Sequence, residues 1–426
     1  MSVTAPPSAQ FGTLPRPSEL ESAAPEPEAV VPAAQAPAAQ AKPAKRPRLY
    51  ALDGLRLLAA LGVLSWHWLG VERFPQVWHG SPAKLMPVGH AIGIYGWTGV
   101  QLFFIISGFV ICMSTWGKSV GTFVTSRVVR LFPAYWVAVL LTALVLSFVP
   151  VIWGDDTHAP SFDKILTNLS MANVPINVAD VDPVYWSLWA EMRFYVLFGI
   201  LVAFGLTYRR VLAFCGGWAV MTLVAGQANF ALLNVIVQPT YSWYFIAGIV
   251  IYLMYRYRPN LMLWGMLGFS WLMAQHSVGS VQGGYAWGAH MKSLSWTICM
   301  LSVTVSFALV LATALGAFSW MRWKWLTVAG SLTYPLYLIH QEIGWELITR
   351  LRRHLAPYPT FFVALAVFLL AAYLIHRLVE RPLAPWMKRK MEASFAAVRR
   401  DMKADEREAA ARAAAKSPSR GTVSPR

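Results

Sequence analysis

The chain has 426 residues, of which 57% are hydrophobic and only 13% charged, with a formal net charge of +16. A soluble domain carries about 25% charged residues, so most of this chain must be solvated by something other than water. The cations fall in short clusters between apolar runs, as the positive-inside rule arranges them, which argues against nucleic acid as a partner. The three cysteines (Cys112, Cys215 and Cys299) lie in apolar runs and speak against a disulfide framework and a thiolate metal site.

Residues 1–48 are rich in Ala, Pro and Glu and nearly free of aromatics, so a disordered tail is expected there. The first apolar run begins near residue 49, and no signal peptide is expected. Lys42, Lys45, Arg46 and Arg48 form a basic collar before it, which predicts a cytoplasmic N-terminus. Apolar runs follow at 49–69, 91–114, 132–153, 184–206, 211–227, 240–255, 260–277, 293–315, 326–348 and 359–379. The expected architecture is therefore an all-α polytopic membrane domain over residues 49–387, with about ten transmembrane helices. Alternate junctions hold Lys118, Arg127 and Arg130, then Arg209 and Arg210, Arg256 and Arg258, and Arg322 and Lys324. Only Arg350, Arg352 and Arg353 break the pattern, which predicts a C-terminus on the cytoplasmic side as well. Arg381-Pro382 reads as the stop of the last helix. Residues 388–426 form a charged tail, Ala-rich and free of breakers to Lys416, which suggests a surface or cytosolic helix.

The opening run, LYALDGLRLLAALGVLSWHWL, carries Asp53, Arg56 and His67 in a segment otherwise fit to cross a bilayer. A charge at membrane depth costs roughly 2.5–3.5 kcal/mol on insertion scales, so such groups face a protein interior or a wet cavity. Arg56 and His67 are eleven positions apart. At 100° per residue that returns to within roughly 20° of one helix face, with the two groups about 16 Å apart along the axis.

The segments DGLRLLAALGVLSWH, GVQLFFIISGFVI, FVTSRVVRLFPAYW, YWSLWAEMRFYV, SLTYPLYLIH and VERPL occur in this order, each at an end of an apolar run. Together they resemble the acyltransferase 3 family of membrane-bound O-acyltransferases, from Leu49 to about Pro385. The resemblance implies transfer of an acyl group from a cytoplasmic acyl-CoA, often acetyl-CoA, to a hydroxyl of a saccharide or natural product. It implies that Arg56 and His67 are essential, with Ser107-Gly108-Phe109, Arg127, Arg130 and Glu191 supporting them. Some members carry a hydrolase-like domain after the last span. Here a short charged tail stands in that place, as in a stand-alone membrane enzyme.

The residue chemistry agrees. Acyl transfer from a thioester to an alcohol needs a base, and neutral His67 suits that role, against the alternative of a packing residue hydrogen-bonded across helices. Arg56 is expected to bind a donor phosphate or carbonyl or to polarise the thioester, the alternative being an ion pair with Asp53. Arg127 and Arg130, three apart in the junction before the third run, suit the polyanionic CoA, although a topogenic cluster needs no ligand. Glu191 is expected to orient His67, to bind the acceptor, or to pair with Arg56 or Arg193. His340 is expected to act through a neighbour or on the acceptor side, against simple packing, and Glu380 to pair locally with Arg381. Some of the many Trp and Tyr residues are candidates to stack on a sugar, although interfacial belts account for most. HExxH, Walker and CxxC motifs are absent, so no metal and no permanently bound cofactor is expected.

The expected function is acyl transfer to a cell-envelope polysaccharide or other glycan in the inner or plasma membrane. Acylation of a macrolide or polyketide natural product is the nearest alternative. A proton-coupled transporter is an alternative of another class, since buried Arg, His and Glu suit it, but broken spans in matching halves are not found. A non-catalytic scaffold would carry intramembrane ionisable groups at needless cost.

Overall fold

A computed structural model describes residues 49–148, 159–228 and 230–416; the tail expected over residues 1–48 and the last ten residues lie outside this set. The described residues contain helices and no strand. The principal helices are α1 (Tyr50–Ser65), α2 (Gly99–Thr115), α3 (Val120–Phe148), α4 (Trp186–Ala203), α5 (Tyr208–Ala228) and α6 (Ser242–Tyr257). They are followed by α7 (Leu261–Gly288), α8 (Trp296–Ala314), α9 (Lys324–Ile339), α10 (Glu342–Leu351), α11 (Pro357–Ile375) and α12 (Arg381–Lys416).

Seven helices among the described residues are long and apolar enough to cross a membrane, or eight if the bent pair Tyr50–Gly70 and Pro75–Leu85 counts as one span. The expected count of ten is corrected accordingly, and the two shortfalls have physical reasons. Helix α9 has only 16 residues, about 24 Å of helix against a hydrocarbon core of about 30 Å. Helix α7 has 28 residues, but Gln275, His276 and Gln282 interrupt its apolar sequence. Large apolar side chains such as Leu140, Leu144, Phe148, Ile200, Phe204 and Leu370 are exposed on the outside of the bundle, as lipid solvation requires.

Three sequence boundaries move. The third run starts at Val120, so Arg127 and Arg130 sit in the first third of α3 and not in a junction. The ninth run breaks between Ile339 and Glu342 into α9 and α10. Arg381-Pro382 does not stop the last helix. A π turn over His376–Glu380 leads directly into α12, and Pro382 falls at the second residue after that turn, where a missing N–H is tolerated. Two of the three cations that break the charge pattern are locally paired: Arg350 with Glu346 one turn earlier, and Arg352 with the carbonyls of Trp78 and Leu355.

Helix α6 is the inner post of the bundle, buried continuously from Ser242 to Met254. It crosses α2 at Gly108 and Gly248. A Cβ on Gly108 would lie 2.2 Å from the Phe245 carbonyl oxygen, and one on Gly248 would lie 2.1 Å from that of Ile105. Small residues let helix backbones approach in this way where no hydrophobic force drives helices together. Beside the crossing, the Phe245 ring packs on Phe104 and Phe194 at 4.7 and 4.6 Å between centroids. On the other side of the bundle α1 packs against α9, where a Cβ on Gly330 would meet the Asp53 side chain at 2.7 Å.

This crossing yields a prediction. Gly248→Leu should destabilise the protein by about 1–3 kcal/mol, the usual range for overpacking, and should lower the thermal midpoint of the detergent-solubilised protein. An unchanged midpoint would show that the two backbones do not meet as closely as described.

Candidate active site

Two adjacent cavities that share lining residues lie among α1, α2, α3, α4, α9 and α11. The inner one, of about 110 Å³, is lined by Arg56, Ser107, Arg127, Arg130, Glu191 and Tyr337, among others. The outer one, of about 640 Å³, shares Arg56, Arg127 and Arg130 with it and adds Asp53, Ser331, His376, Arg377 and Arg381. Five arginines and one histidine thus face a single carboxylate, Asp53, in the outer cavity.

Each of these side chains is placed by its helix. Arg56 follows Asp53 by three residues, one helical turn, and its Nη1 is 3.5 Å from Asp53 Oδ1, the ion pair weighed from sequence. Arg127 donates from Nε to Ser126 Oγ at 3.1 Å and lies 5.8 Å from the Tyr195 ring centroid. Arg130 is 3.8 Å from Glu380 Oε1, and His376 Nδ1 is 2.6 Å from Glu380 Oε2. Glu380 therefore pairs across to α3 and back into its own π turn. The local pair expected with Arg381 is not the one formed.

Ser107, beside the α2–α6 crossing, donates to Glu191 Oε1 at 2.5 Å. Glu191 is not brought to His67, and Arg193 turns away to donate to the Val235 carbonyl at 3.0 Å. Tyr337 closes the inner cavity: its hydroxyl is 2.6 Å from Ser187 Oγ and donates to the Val184 carbonyl at 3.1 Å.

His67 lies beyond that closure. Helix α1 widens after Ser65 into a π turn, Trp66–Gly70, sealed by Val71 N–H donating to Trp66 O at 2.9 Å. Past Ser65 the 100° rule that placed His67 on the face of Arg56 no longer holds, and His67 is not among the residues lining either Arg56 cavity. Its Nδ1 is 3.0 Å from the Val63 carbonyl and 2.9 Å from His340 Nε2. Ring centroids step from Tyr337 to His340 at 5.5 Å and from His340 to His67 at 4.9 Å. On the far side, a cleft of about 470 Å³ is lined by Trp66, Arg73, Phe74, Tyr285, Trp287 and Trp345, with the Arg73 guanidinium 3.5 Å over the Trp287 ring.

Several of these residues were not singled out from the sequence. Tyr337 sits in SLTYPLYLIH, which was read only for His340. Arg381 was read only as part of a helix stop, and Arg377 was not singled out at all. The aromatic cleft gathers residues from three separate segments, and no local pattern signals that. Among the described residues, no group of three or more His, Cys, Asp or Glu side chains is placed to hold a metal.

An apolar multi-helix bundle that holds a polycationic cavity, a hydrogen-bonded histidine pair and an aromatic cleft has the layout of a membrane protein with a polar site among its helices. The model of the acyltransferase 3 family, described as an acyltransferase domain, matches residues 49–377, and the chain belongs to that family. This places it among acyltransferases and not among the proton-coupled transporters that its buried ionisable groups also suggest. No curated protein and no solved structure matches the chain.

The Ser107–Glu191 bond is testable. Ser107→Ala leaves the carboxylate without this donor, a charged hydrogen bond of about 1.5–3 kcal/mol, whereas Ser107→Thr keeps a hydroxyl. Acyl-transfer turnover should fall about tenfold or more in the Ala variant and be largely retained in the Thr variant. Equal rates in wild type and Ser107→Ala would show that Glu191 needs no such support.

Proposed function

We propose that this acyltransferase O-acylates a glycan or glycosylated small molecule with an acyl group, acetyl in the first instance, taken from cytoplasmic acyl-CoA. The observation that carries this reading is the sharing of Arg56, Arg127 and Arg130 between a wide cationic cavity and a narrow one. A polyanionic head with a thin acyl-bearing arm fits that sequence of spaces. Guanidinium groups bind phosphates bidentately, and the wide cavity offers more positive charge than Asp53 offsets. Arg377 and Arg381 extend the same surface.

On this reading the thioester arm passes Arg56 toward His67, and the Tyr337 ring turns aside to admit it. The acceptor approaches from the aromatic cleft, whose Trp and Tyr faces suit a sugar ring. His67 takes the hydroxyl proton, the oxygen attacks the thioester carbonyl carbon, the C–S bond breaks, and the thiolate recovers a proton. Direct transfer and passage through an acyl-His67 intermediate both fit this path. Both termini are assigned to the cytoplasm of an inner or plasma membrane protein, on the cation distribution.

Purified protein with labelled acetyl-CoA and a panel of hydroxyl acceptors tests the reading. Arg127→Ala/Arg130→Ala should raise the donor KM several-fold with little effect on the thermal midpoint, as loss of uniform binding does. His67→Gln, which hydrogen-bonds but takes no proton, should lower turnover on the order of 10²-fold or more with donor affinity retained. Unchanged donor KM in the double variant would make the arginines topogenic, and near-wild-type turnover in His67→Gln would remove His67 as the base.

A further inference from the structure

Buried His340 and half-buried His67 constrain each other's protons. His340 Nδ1 is 2.7 Å from the Tyr337 carbonyl oxygen. A carbonyl only accepts, so His340 Nδ1 carries hydrogen. A neutral imidazole has one ring proton, and His340 Nε2 is therefore left as an acceptor. That nitrogen is 2.9 Å from His67 Nδ1, which is also 3.0 Å from the Val63 carbonyl oxygen. Both neighbours of His67 Nδ1 accept, so it is the protonated nitrogen of His67, shared between them. No proton remains for His67 Nε2, and no hydrogen bond to Nε2 is found among the described residues.

We propose that His340 is a positioning residue: it holds His67 in the Nδ1–H tautomer and leaves the Nε2 lone pair bare for the acceptor hydroxyl. The backbones of the two histidines are fixed to match. Trp68 Nε1 donates to the His340 carbonyl at 2.7 Å, and Trp345 Nε1 donates to the His67 carbonyl at 2.7 Å. The orienting partner in a catalytic triad is a carboxylate. Here a second neutral imidazole takes that place, which spares a buried apolar site an extra charge. When Nε2 takes the hydroxyl proton, the imidazolium keeps its Nδ1–H on His340 Nε2. The acceptor oxygen forms the new ester bond as the C–S bond breaks, and the Nε2 proton passes to the departing thiolate, returning both rings to neutral.

This inference rests on His67 as the base, but its first test does not depend on turnover. The full chain, labelled with ¹⁵N-histidine and placed in lipid vesicles, is read by solid-state NMR, with the His67 resonances identified by their loss in His67→Gln. A protonated Nδ1 and a bare Nε2 are expected. A protonated Nε2 on neutral His67 overturns the proposal whatever the activity.

The second test is a rescue series. His340→Gln places a carbonyl oxygen near the position of Nε2 and can still accept from His67. His340→Asn restores an N–H near Nδ1 for Tyr337 O but reaches no acceptor to His67, and His340→Met restores neither. The expected kcat of the Gln variant is within about tenfold of wild type, while Asn and Met lose on the order of 10²-fold. Donor KM should be unchanged throughout, and the thermal midpoint should hold best in Asn, since Gln and Met leave the buried Tyr337 carbonyl without its donor. Rescue by Asn and not by Gln, or equal rates in all three, overturns the positioning role. High turnover in His67→Gln would instead fell the base assignment, and the NMR result would still decide how His340 orients its neighbour.

Discussion

The reciprocal indole bonds from Trp68 to the His340 carbonyl and from Trp345 to the His67 carbonyl hold together the two histidines to which the proposed chemistry is assigned. In an apolar bundle every backbone polar group must find its partner inside the protein. Helices satisfy this automatically, and interruptions do not. The chain is interrupted at the π turn Trp66–Gly70 and at the break between α9 and α10, and a histidine stands at each place. The indoles complete the carbonyls at these two points and, because each comes from beside the other's histidine, they also set the distance between the rings. Trp68 itself is fully buried and packs edge-on against Phe361 and Phe368, so the lock is anchored in α11.

Electrostatics organises the opposite side of the molecule. Asp53 beside Arg56 and Glu380 beside Arg130 neutralise part of a dense cationic surface without filling it. The Glu380–Arg130 contact is long, and the Arg130 side chain is 41% exposed, so this pair adds little to stability. Its consequence is geometric: it draws the π turn before α12 onto the first third of α3 and brings Arg377 and Arg381 into the same cavity as Arg127.

Much of this was legible in the sequence. Length and apolarity gave the all-α membrane class. Six segments in order carried the family, and the charged residues in those segments, Arg193 apart, line or adjoin the cavities. What the sequence could not convey follows from local departures from ideal helix geometry. The 100° rule set His67 on the face of Arg56, but the π turn begins one residue before His67. Pro382 read as a stop because the preceding π turn cannot be foreseen from HRLVE. Arg127 and Arg130 read as a junction because apolarity alone does not reveal that VGTFVTSRVVR is already helical. Ring-to-ring relations such as Tyr337 to His340 are tertiary, and periodicity says nothing about which helix supplies the facing residue.

The bundle's close crossing and its chemistry are linked through one residue step. Gly108 lets α2 approach α6 until the backbones touch, and Ser107 immediately before it is thereby directed to α4, where it meets Glu191. A larger residue at 108 would push α2 outward and lengthen a hydrogen bond that is 2.5 Å as it stands. On the other side of the inner cavity, Ser187, one turn before Glu191 on the same helix, meets Tyr337. Helix α4 therefore holds both the carboxylate at the cavity wall and the hydroxyl that restrains its closing ring. A shift of α4 along its axis would therefore move the Ser187–Tyr337 and Ser107–Glu191 contacts together.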